Sequence, residues 1–290
     1  MTAQSDFGTL RRVGMRHVRD AFASPAAIDR QWQDLNYLGA PEFEKAISEY
    51  DQLIDTLAAR GLEIEFMPTV GEIGMDSLYV RDASVATARG MVLCRMGKVA
   101  RRAEPAAQRA WFESLSLEIA GTIEAPGTLE GGDVAWLDER TVAVGHGYRT
   151  NGSGIAQFTQ LLGDSVDEVI EVPLPHYRGP SDVFHLMSIV SPLDRNLALV
   201  YSPLMPVPFR NQLLERGFEL VEVPDEEFDS LGCNSLALAP RTCLLPAGNP
   251  QTRARLQRAG VEVVDFSADE ICVKGGGGPT CMTRPLDWLL

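Results

Sequence analysis

Apolar positions recur along the chain in a repeated order: a helix-like stretch, a turn, and a short apolar strand dotted with acidic residues. The clearest copies of the turn and strand are Ala58–Pro68, Glu215–Pro224 and Gln257–Phe266, and looser copies are Leu115–Pro126 and Leu161–Pro173. Successive copies lie roughly 45–55 residues apart, a spacing typical of repeats that build stacked or closed arrays. The pattern therefore predicts a repeat protein.

After each copy, two short apolar runs flank a polar turn, which predicts a β-hairpin. The hairpins are expected at residues 77–96, 131–145, 185–203 and 233–248, with a fifth at 273–286 that is cut short by the C-terminus. Apolar residues three or four apart predict helices at Pro41–Arg60, Pro105–Leu117, Gly152–Leu162 and Pro208–Arg216. Each unit thus consists of strand, turn, strand, helix and strand.

Units of this ββαβ kind cannot bury their apolar faces alone, so neighbouring units must cover them. Five units in sequence predict an α/β fold in which the units form a propeller-like ring with a central site. Because no stretch rich in Pro, Gly or Ser divides the chain, residues 1–290 are predicted to form a single domain.

The composition of the 290 residues limits the classes of molecule that the protein is expected to bind. With 45% hydrophobic and 23% charged residues, the chain can bury a substantial core, whereas its net charge of −14 repels nucleic acids and anionic membranes. No apolar run is long enough to span a bilayer, and no apolar stretch follows Arg11 and Arg12 as it would in a signal peptide. Five cysteines without metal-type spacing favour a reducing compartment. We expect a cytoplasmic protein without nucleic-acid or membrane partners, and homo-oligomer formation stays open.

Residues capable of chemistry fall at one position of the repeat, the start of each hairpin. Equivalent positions of a ring converge on its axis, so these side chains are predicted to share one cavity. They are Arg81, Asp82, Glu130, Asp133, His185, Asn234 and Cys281.

Two of these residues form a candidate nucleophile pair. Cys281 follows the glycine run 275–278, which allows a backbone to approach a ligand closely, although a lone cysteine near a C-terminus is often only a small buried hydrophobe. His185 begins an apolar strand, where a lone histidine is usually structural, but histidine is also the commonest positioned acid/base. Together they match a cysteine activated by a neighbouring histidine.

Three carboxylates, those of Asp82, Glu130 and Asp133, are predicted to face the same cavity, which is unfavourable without a cation. A metal would supply one, but one histidine and scattered acids show no recognisable ligand pattern, so neither a metal nor another cofactor is predicted. A planar guanidinium, whose donors match carboxylates in bidentate pairs, fits equally well.

The motifs Tyr79-Val80-Arg81-Asp82, Leu129-Glu130-Gly131-Gly132-Asp133, His185-Leu186 and Gly275–Gly278 with Cys281-Met282-Thr283 resemble those of the guanidine-modifying (pentein) superfamily. Its members include arginine deiminases, amidinotransferases and dimethylarginine dimethylaminohydrolases, and the resemblance covers about residues 10–286. It implies a five-bladed α/β propeller, in agreement with the repeat count, and a small guanidino compound as substrate.

The resemblance also implies roles for the site residues. Cys281 would form a covalent thiouronium intermediate, His185 would protonate the departing amine and then activate water, and Glu130 would orient His185 and hold the guanidinium. Asp82 would bind guanidinium nitrogens, and Asp133 would serve as structural support or a second contact.

Further matches resemble the dimethylarginine dimethylaminohydrolases most closely. Asp76 stands where those enzymes hold the α-amino group, and Arg95 and Arg149 stand where two arginines clamp the α-carboxylate, so a free amino acid is the implied substrate. Two positions give conflicting indications of which group of enzymes the chain resembles. Arg81 replaces the usual glutamate of that family and is like the deiminases, whereas Met187 replaces an aspartate of the deiminases and amidinotransferases.

The sequence therefore predicts hydrolysis of an arginine-type amino acid, with Nω-methylated L-arginine favoured. L-Arginine deimination, transfer of the amidino group to an amine, and a non-catalytic binding protein of the same fold remain alternatives.

Overall fold

A computed structural model describes residues 4–69, 73–182 and 184–289. Over this part of the chain, fifteen strands form five three-stranded sheets. In each sheet the central strand pairs antiparallel with one neighbour and parallel with the other. This is the ββαβ unit that the hydrophobic pattern predicts, because a parallel connection requires a crossover and an antiparallel one only a turn.

Four sheets are continuous in sequence and begin with the hairpins predicted above. Their strands are β3 (Ser84–Thr87), β4 (Gly90–Leu93) and β5 (Ile119–Thr122); β6 (Val134–Trp136), β7 (Thr141–His146) and β8 (Glu168–Pro173); β9 (Val190–Asp194), β10 (Leu197–Val200) and β11 (Glu219–Glu222); and β12 (Leu236–Ala239), β13 (Thr242–Pro246) and β14 (Glu262–Phe266).

The fifth sheet combines the two ends of the described chain. Its strands are β1 (Thr9–Met15), β2 (Glu63–Phe66) and β15 (Arg284–Leu289). β15 pairs antiparallel with β1, with Val13 opposite Pro285, and β1 pairs parallel with β2. The prediction of a truncated fifth hairpin was therefore wrong: the strand after Cys281 finds its partner in β1, where buried Leu10 and Val13 supply the apolar face.

Seven helices complete the described part of the chain: α1 (Val18–Phe22), α2 (Pro25–Gln31), α3 (Phe43–Ala58), α4 (Glu104–Ser114), α5 (Gly152–Leu162), α6 (Val207–Glu215) and α7 (Pro250–Arg258). The four predicted helices correspond to α3–α6: the ends of α5 agree with the prediction, and those of the other three differ by one to three residues. α3 buries Ala46, Ile47, Tyr50, Leu53 and Leu57, which are spaced as one helical face. α5 begins at the N-cap Asn151, whose side chain accepts a hydrogen bond from the Gly154 N–H.

The sequence reading missed α1, α2 and α7. The first two have only five and seven residues, too few to display a helical period. α7 buries only Thr252 and Leu256, so its sequence looks polar throughout. Within the described residues, no helix is both long and apolar enough to cross a membrane.

Candidate active site

The structure places the chemically capable residues in the loops that lead into the first strand of each sheet. Asp82 precedes β3, Glu130 precedes β6, His185 precedes β9, Asn234 precedes β12, and Cys281 precedes β15. Contacts among these loops bring the five residues together. His185 reaches Glu130 and Asp82, Asn234 reaches Cys281, and the Arg81 N–H donates to the Cys281 carbonyl over 3.0 Å. The predicted convergence of the repeat positions is thus observed.

His185 and Glu130 form the centre of one wall of the site. The Nε2 atom of His185 lies 2.8 Å from Oε2 of Glu130, and its Nδ1 atom lies 3.9 Å from Oδ1 of Asp82. Glu130 is fully buried and also accepts from Arg149 at 3.1 Å and from the backbone N–H of Lys98 at 2.9 Å. A carboxylate held in this way fixes the orientation of the imidazole.

The electrostatics of this wall favour a protonated His185. Burial alone would lower its pKa from 6.5, but the negative charges of Asp82 and Asp133 and the hydrogen bond to Glu130 raise the pKa to about 9. Burial alone would raise the pKa of Glu130, but the hydrogen bond from His185 and the charge of Arg149 hold it well below its usual value. His185 is therefore an imidazolium at neutral pH, ready to donate a proton.

Asp133 supports His185 through the backbone. Its Oδ1 accepts the N–H of Leu186, the residue after the histidine, over 3.0 Å. Burial raises the pKa of this carboxyl group to about 6. Its position matches structural support better than direct contact with a ligand.

Arg101 is a site residue that sequence reasoning missed. Its guanidinium donates to Oδ2 of Asp82 at 2.5 Å, to both oxygens of Glu104 at 2.9 and 2.8 Å, and to the Tyr79 carbonyl at 2.8 Å. All four residues are buried. Arg101 and Glu104 are three residues apart, a spacing at which two side chains of a helix can form an ion pair. This spacing was the signal in the sequence that could have pointed to Arg101. The second oxygen of Asp82, Oδ1, is buried and has no hydrogen-bond partner among the described residues.

The close packing of His185 and Asp82 against the loop before β6 requires glycine at position 132. A Cβ atom at position 132 would lie 2.5 Å from Nδ1 of His185 and 2.8 Å from Oδ1 of Asp82, distances that van der Waals contact forbids. The Glu130-Gly131-Gly132-Asp133 motif therefore has glycine where three loops meet, so that its two acids can flank the histidine.

Cys281 belongs to the opposite wall, whose other members are uncharged. Its Sγ accepts a hydrogen bond from Nδ2 of Asn234 at 3.3 Å, and Oδ1 of Asn234 accepts from the Thr280 hydroxyl at 2.5 Å. A Cβ at Gly278 would lie 2.4 Å from that Asn234 oxygen, so glycine is required for this contact. Burial, and after it the negative charge of Asp82, raises the pKa of the Cys281 thiol. The free site therefore holds a thiol rather than a thiolate at neutral pH.

Arg81 does not enter the site. Its Nε donates to the Thr280 carbonyl at 2.8 Å and its Nη1 to Asp6 at 3.0 Å, with both side chains buried. Arg81 thus braces the backbone beside Cys281 from behind. The deiminase-like character of this position has no counterpart in the cavity, because the guanidinium points away from it.

The three residues expected to hold the far end of the substrate have different surroundings. Asp76 is buried and pairs through Oδ2 with Nζ of Lys98 at 2.6 Å. Arg149 is buried against Glu130 and also donates to the Asp182 carbonyl at 3.3 Å. Arg95 instead donates to the Gly127 carbonyl at 3.2 Å and lines neither of the cavities beside Cys281.

Two cavities meet at Cys281 and His185. The larger has a volume of about 500 Å³ and an apolar lining that includes Tyr177, Phe184, Met187, Phe228 and Leu231. At its rim Arg178 donates to both oxygens of Asp229 at 2.8 Å. The smaller, of about 10 Å³, is lined by charged residues that include Asp76, Lys98, Arg101 and Arg149. Cys281 and His185 thus line both a large cavity with many apolar side chains and a small one with several charged residues.

Asp82, Glu130 and His185 also bring three potential metal-ligand atoms within 4.8 Å of one another. Arg101 and Arg149 already donate to the two carboxylates. Two guanidinium groups of the chain, together with protonated His185, therefore provide positive charge beside these acids.

Residues 21–287 match the model of the family described as N,N dimethylarginine dimethylhydrolase, eukaryotic. The chain belongs to this family. The N(G),N(G)-dimethylarginine dimethylaminohydrolase of Streptomyces coelicolor is 31% identical over 234 residues, which cover 79% of the chain and 83% of the relative. The protein is thus a hydrolase that acts on amidines.

Solved structures share the fold. The cysteine-to-serine mutant of the Pseudomonas aeruginosa dimethylarginine dimethylaminohydrolase, complexed with citrulline, superposes with a TM-score of 0.77 at 24% identity, over 96% of this chain and 100% of the other. SxtG, an amidinotransferase of Microseira wollei, gives a TM-score of 0.81 at 15% identity, over 99% and 97%. At these identities the likeness shows a shared α/β pentein fold.

Proposed function

We propose that this dimethylarginine dimethylhydrolase family member hydrolyses the guanidinium C–N bond of a free arginine-type amino acid, with Nω-methylated L-arginine favoured over L-arginine, to give L-citrulline and an amine. The observation that carries the proposal is the cavity lined by Cys281 and His185, with Oε2 of Glu130 2.8 Å and Oδ1 of Asp82 3.9 Å from the two ring nitrogens of the protonated histidine. The Streptomyces relative and the citrulline complex of the Pseudomonas enzyme support this substrate class.

In the first half of the reaction, the substrate guanidinium lies between Asp82 and Glu130, whose oxygens accept its N–H groups. Its positive charge offsets the burial and the Asp82 charge that raise the pKa of the Cys281 thiol, so the thiol releases its proton to solvent and becomes a thiolate. The thiolate attacks the guanidinium carbon and forms a C–S bond. His185 donates its proton to the departing nitrogen, the C–N bond breaks, and a thiouronium remains on Cys281.

In the second half, neutral His185 accepts a proton from a water molecule, and the resulting hydroxide attacks the thiouronium carbon. The C–S bond breaks and the sulfur takes up the proton of the added hydroxyl, which restores the Cys281 thiol and leaves the neutral ureido group of citrulline. Glu130 keeps the imidazole in one orientation for both proton transfers.

At the far end of the substrate, we propose that Arg149 binds the α-carboxylate and Asp76 the α-ammonium. Both residues line the small cavity beside Cys281. Arg95 is less suited than Arg149 to bind the α-carboxylate, because its guanidinium donates to the Gly127 carbonyl.

We also propose that the five sheets close into one ring, the five-bladed α/β propeller of a single domain. The pairing of β1 with β15 supports this closure, since it joins the first and last described strands in one sheet. The five unpaired, buried cysteines support a reducing compartment such as the cytoplasm.

A panel of guanidino compounds tests the proposal. It contains L-arginine, its Nω-monomethyl and dimethyl forms, and L-arginine with added glycine as amidino acceptor. Citrulline, ammonia, alkylamine, ornithine and transferred amidino group are measured. We expect citrulline and alkylamine from the methylated forms, with an adduct on Cys281 in mass spectra of the enzyme quenched during turnover. Ornithine with an amidinated acceptor would establish transfer instead, and no product from any compound would overturn catalysis.

A further inference from the structure

Lys98 occupies the subsite at which the proposed function places the substrate's α-ammonium. Its Nζ donates to Oδ2 of Asp76 at 2.6 Å and to the Leu35 carbonyl at 2.8 Å. Only 13% of the Lys98 side chain and 6% of the Asp76 side chain are exposed. The backbone N–H of Lys98 also donates to Oε1 of Glu130 at 2.9 Å. The residue is therefore anchored to the site at both its backbone and its ammonium group.

Lys98 neutralises the charge that a substrate ammonium would seek. The two guanidinium groups of the small cavity also have carboxylate partners, Arg101 with Asp82 and Arg149 with Glu130. Asp76 is thus not a free anion. A second ammonium approaching its carboxylate meets the like charge of Lys98 in a buried environment, where such repulsion is strong.

Lys98 also limits the space. The small cavity that it lines has a volume of about 10 Å³, room for about one water molecule. An α-ammonium can reach Asp76 only after the Lys98 side chain moves aside and gives up its contacts to Asp76 and to the Leu35 carbonyl. Binding the α-ammonium therefore exchanges one ion pair for another and gains little.

We propose that Lys98 is a specificity-determining residue that takes the place of the substrate ammonium, so that the enzyme hydrolyses guanidino carboxylates without an α-ammonium at least as well as the corresponding amino acids. The inference rests on the proposed function in placing the guanidinium at Cys281 and the far end of the substrate towards Asp76. It adds a second substrate class, ω-guanidino carboxylic acids.

The test compares two compounds that carry the same Nω-methylated guanidine, one with the α-ammonium (Nω-methyl-L-arginine) and one without it (its desamino analogue, 5-(methylguanidino)pentanoate). For the wild type, we expect kcat/KM of the desamino compound to equal or exceed that of the amino acid. In Lys98→Met, Asp76 is free to bind the α-ammonium by a charge-assisted hydrogen bond. The preference is then expected to move towards the amino acid by about 10-fold or more.

Two variants serve as controls. Lys98→Gln keeps a donor for Asp76 and the Leu35 carbonyl without the charge, and should shift the preference in the same direction even if Lys98→Met fails to fold. Lys45→Met removes an exposed lysine that pairs with Glu42, and should leave the preference as in the wild type.

An unchanged preference, within twofold, in both Lys98 variants would overturn the inference, as would a wild-type preference for the amino acid of tenfold or more. If the wild type hydrolysed neither compound, the proposed function would fail. The role of Lys98 would still be decided by calorimetric binding of the same two compounds to Cys281→Ser, with and without Lys98→Met. There the same shift supports it and its absence overturns it.

Discussion

The two walls that face each other across the site differ sharply in charge. The wall around His185 contains Glu130, Asp82, Arg101 and Arg149, all buried and linked by ion pairs. The wall around Cys281 contains Asn234, Thr280 and the glycine run, and among the described residues the side-chain hydrogen-bond partners of the sulfur are the uncharged Asn234 and Thr280. The wall around His185 holds the imidazolium and two guanidinium groups in ion pairs. The wall around Cys281 presents a thiol that is neutral in the free site.

This difference indicates how the site avoids needless reactivity. The carboxylates of the chain favour the imidazolium form of His185, whereas burial and the charge of Asp82 favour the neutral thiol of Cys281. In the proposed mechanism, the acid is therefore preformed, while the nucleophile is activated by the substrate guanidinium. The following changes test each wall in turn.

The largest effect is expected on the uncharged wall. Cys281→Ser should lower kcat by about 10³-fold or more, because a hydroxyl is a far poorer nucleophile than the thiolate that the bound guanidinium stabilises. Steady-state kinetics on the best substrate of the panel measure the loss, and circular dichroism checks that the fold persists. Cys243→Ser, a change at a buried cysteine of β13 that lines neither cavity, is the matched control. More than a tenth of the wild-type rate in Cys281→Ser would contradict the mechanism.

On the charged wall, Arg101→Met should destabilise the protein by about 3–5 kcal/mol, because it leaves Asp82 and Glu104 buried without their partner. Urea unfolding measures the change, and the exposed neighbour substitution Arg102→Met should stay close to the wild type. A loss below about 1 kcal/mol in Arg101→Met would mean that the ion-pair network is less important than its burial indicates.

Glu130→Gln tests what keeps His185 protonated. Removal of this charge should weaken proton binding by His185 about tenfold or more, so that its pKa falls from about 9 towards 6.5. The chain has four histidines, so an NMR titration compared with His185→Gln identifies the signal. A histidine signal that titrates near 6.5 in the wild type, and is absent in His185→Gln, would refute the assignment.

The same shift affects stability. Because the folded pKa of His185 exceeds the unfolded value, its contribution to stability is fully present below about pH 6.5 and is lost as pH rises through about 9. That alkaline loss should shrink in Glu130→Gln. Equal alkaline losses of unfolding free energy in the two proteins would show that another group causes them.

The smallest effect concerns the apolar cavity that opens beside both walls. Met187 is buried there next to the histidine loop, and its thioether tolerates a methylated nitrogen. Nω-methylated arginines should therefore have a kcat/KM about 10-fold or more above that of arginine, since arginine lacks one charge-assisted hydrogen bond that an acid at this position would provide. Met187→Asp should reverse the order. A wild-type preference for arginine would favour the deiminase function instead.

The sequence was informative where periodicity and chemistry coincide. The repeat identified four hairpins and four helices, and the phase of the repeat brought Asp82, Glu130, His185 and Cys281 to one place before any contact was known. α7 and the two short N-terminal helices lacked a readable period. The pairing of β15 with β1 was missed because strand pairing over such a separation leaves no local pattern in the sequence.

The direction of individual side chains also could not be predicted from the sequence. A motif match assigns Arg81 and Arg95 a position on the backbone, but only packing decides where a guanidinium points. Arg81 turns to Asp6 and Arg95 to the Gly127 carbonyl. Conversely, Arg101 and Lys98 enter the site from a segment that carries no family motif recognised in the sequence, and their buried ion pairs with Asp82 and Asp76 are seen only in the structure.

The pairing of Val13 with Pro285 has a consequence for biosynthesis. β1 is synthesised early and cannot pair with β15 until that strand has also been synthesised. At about 5–20 residues per second, the delay is tens of seconds. Cys281 lies just before that late strand, so its thiol emerges after His185, Glu130 and Asp82 have already been synthesised. If the proposed roles hold, a nascent chain therefore contains the acid/base residues before it contains their nucleophile.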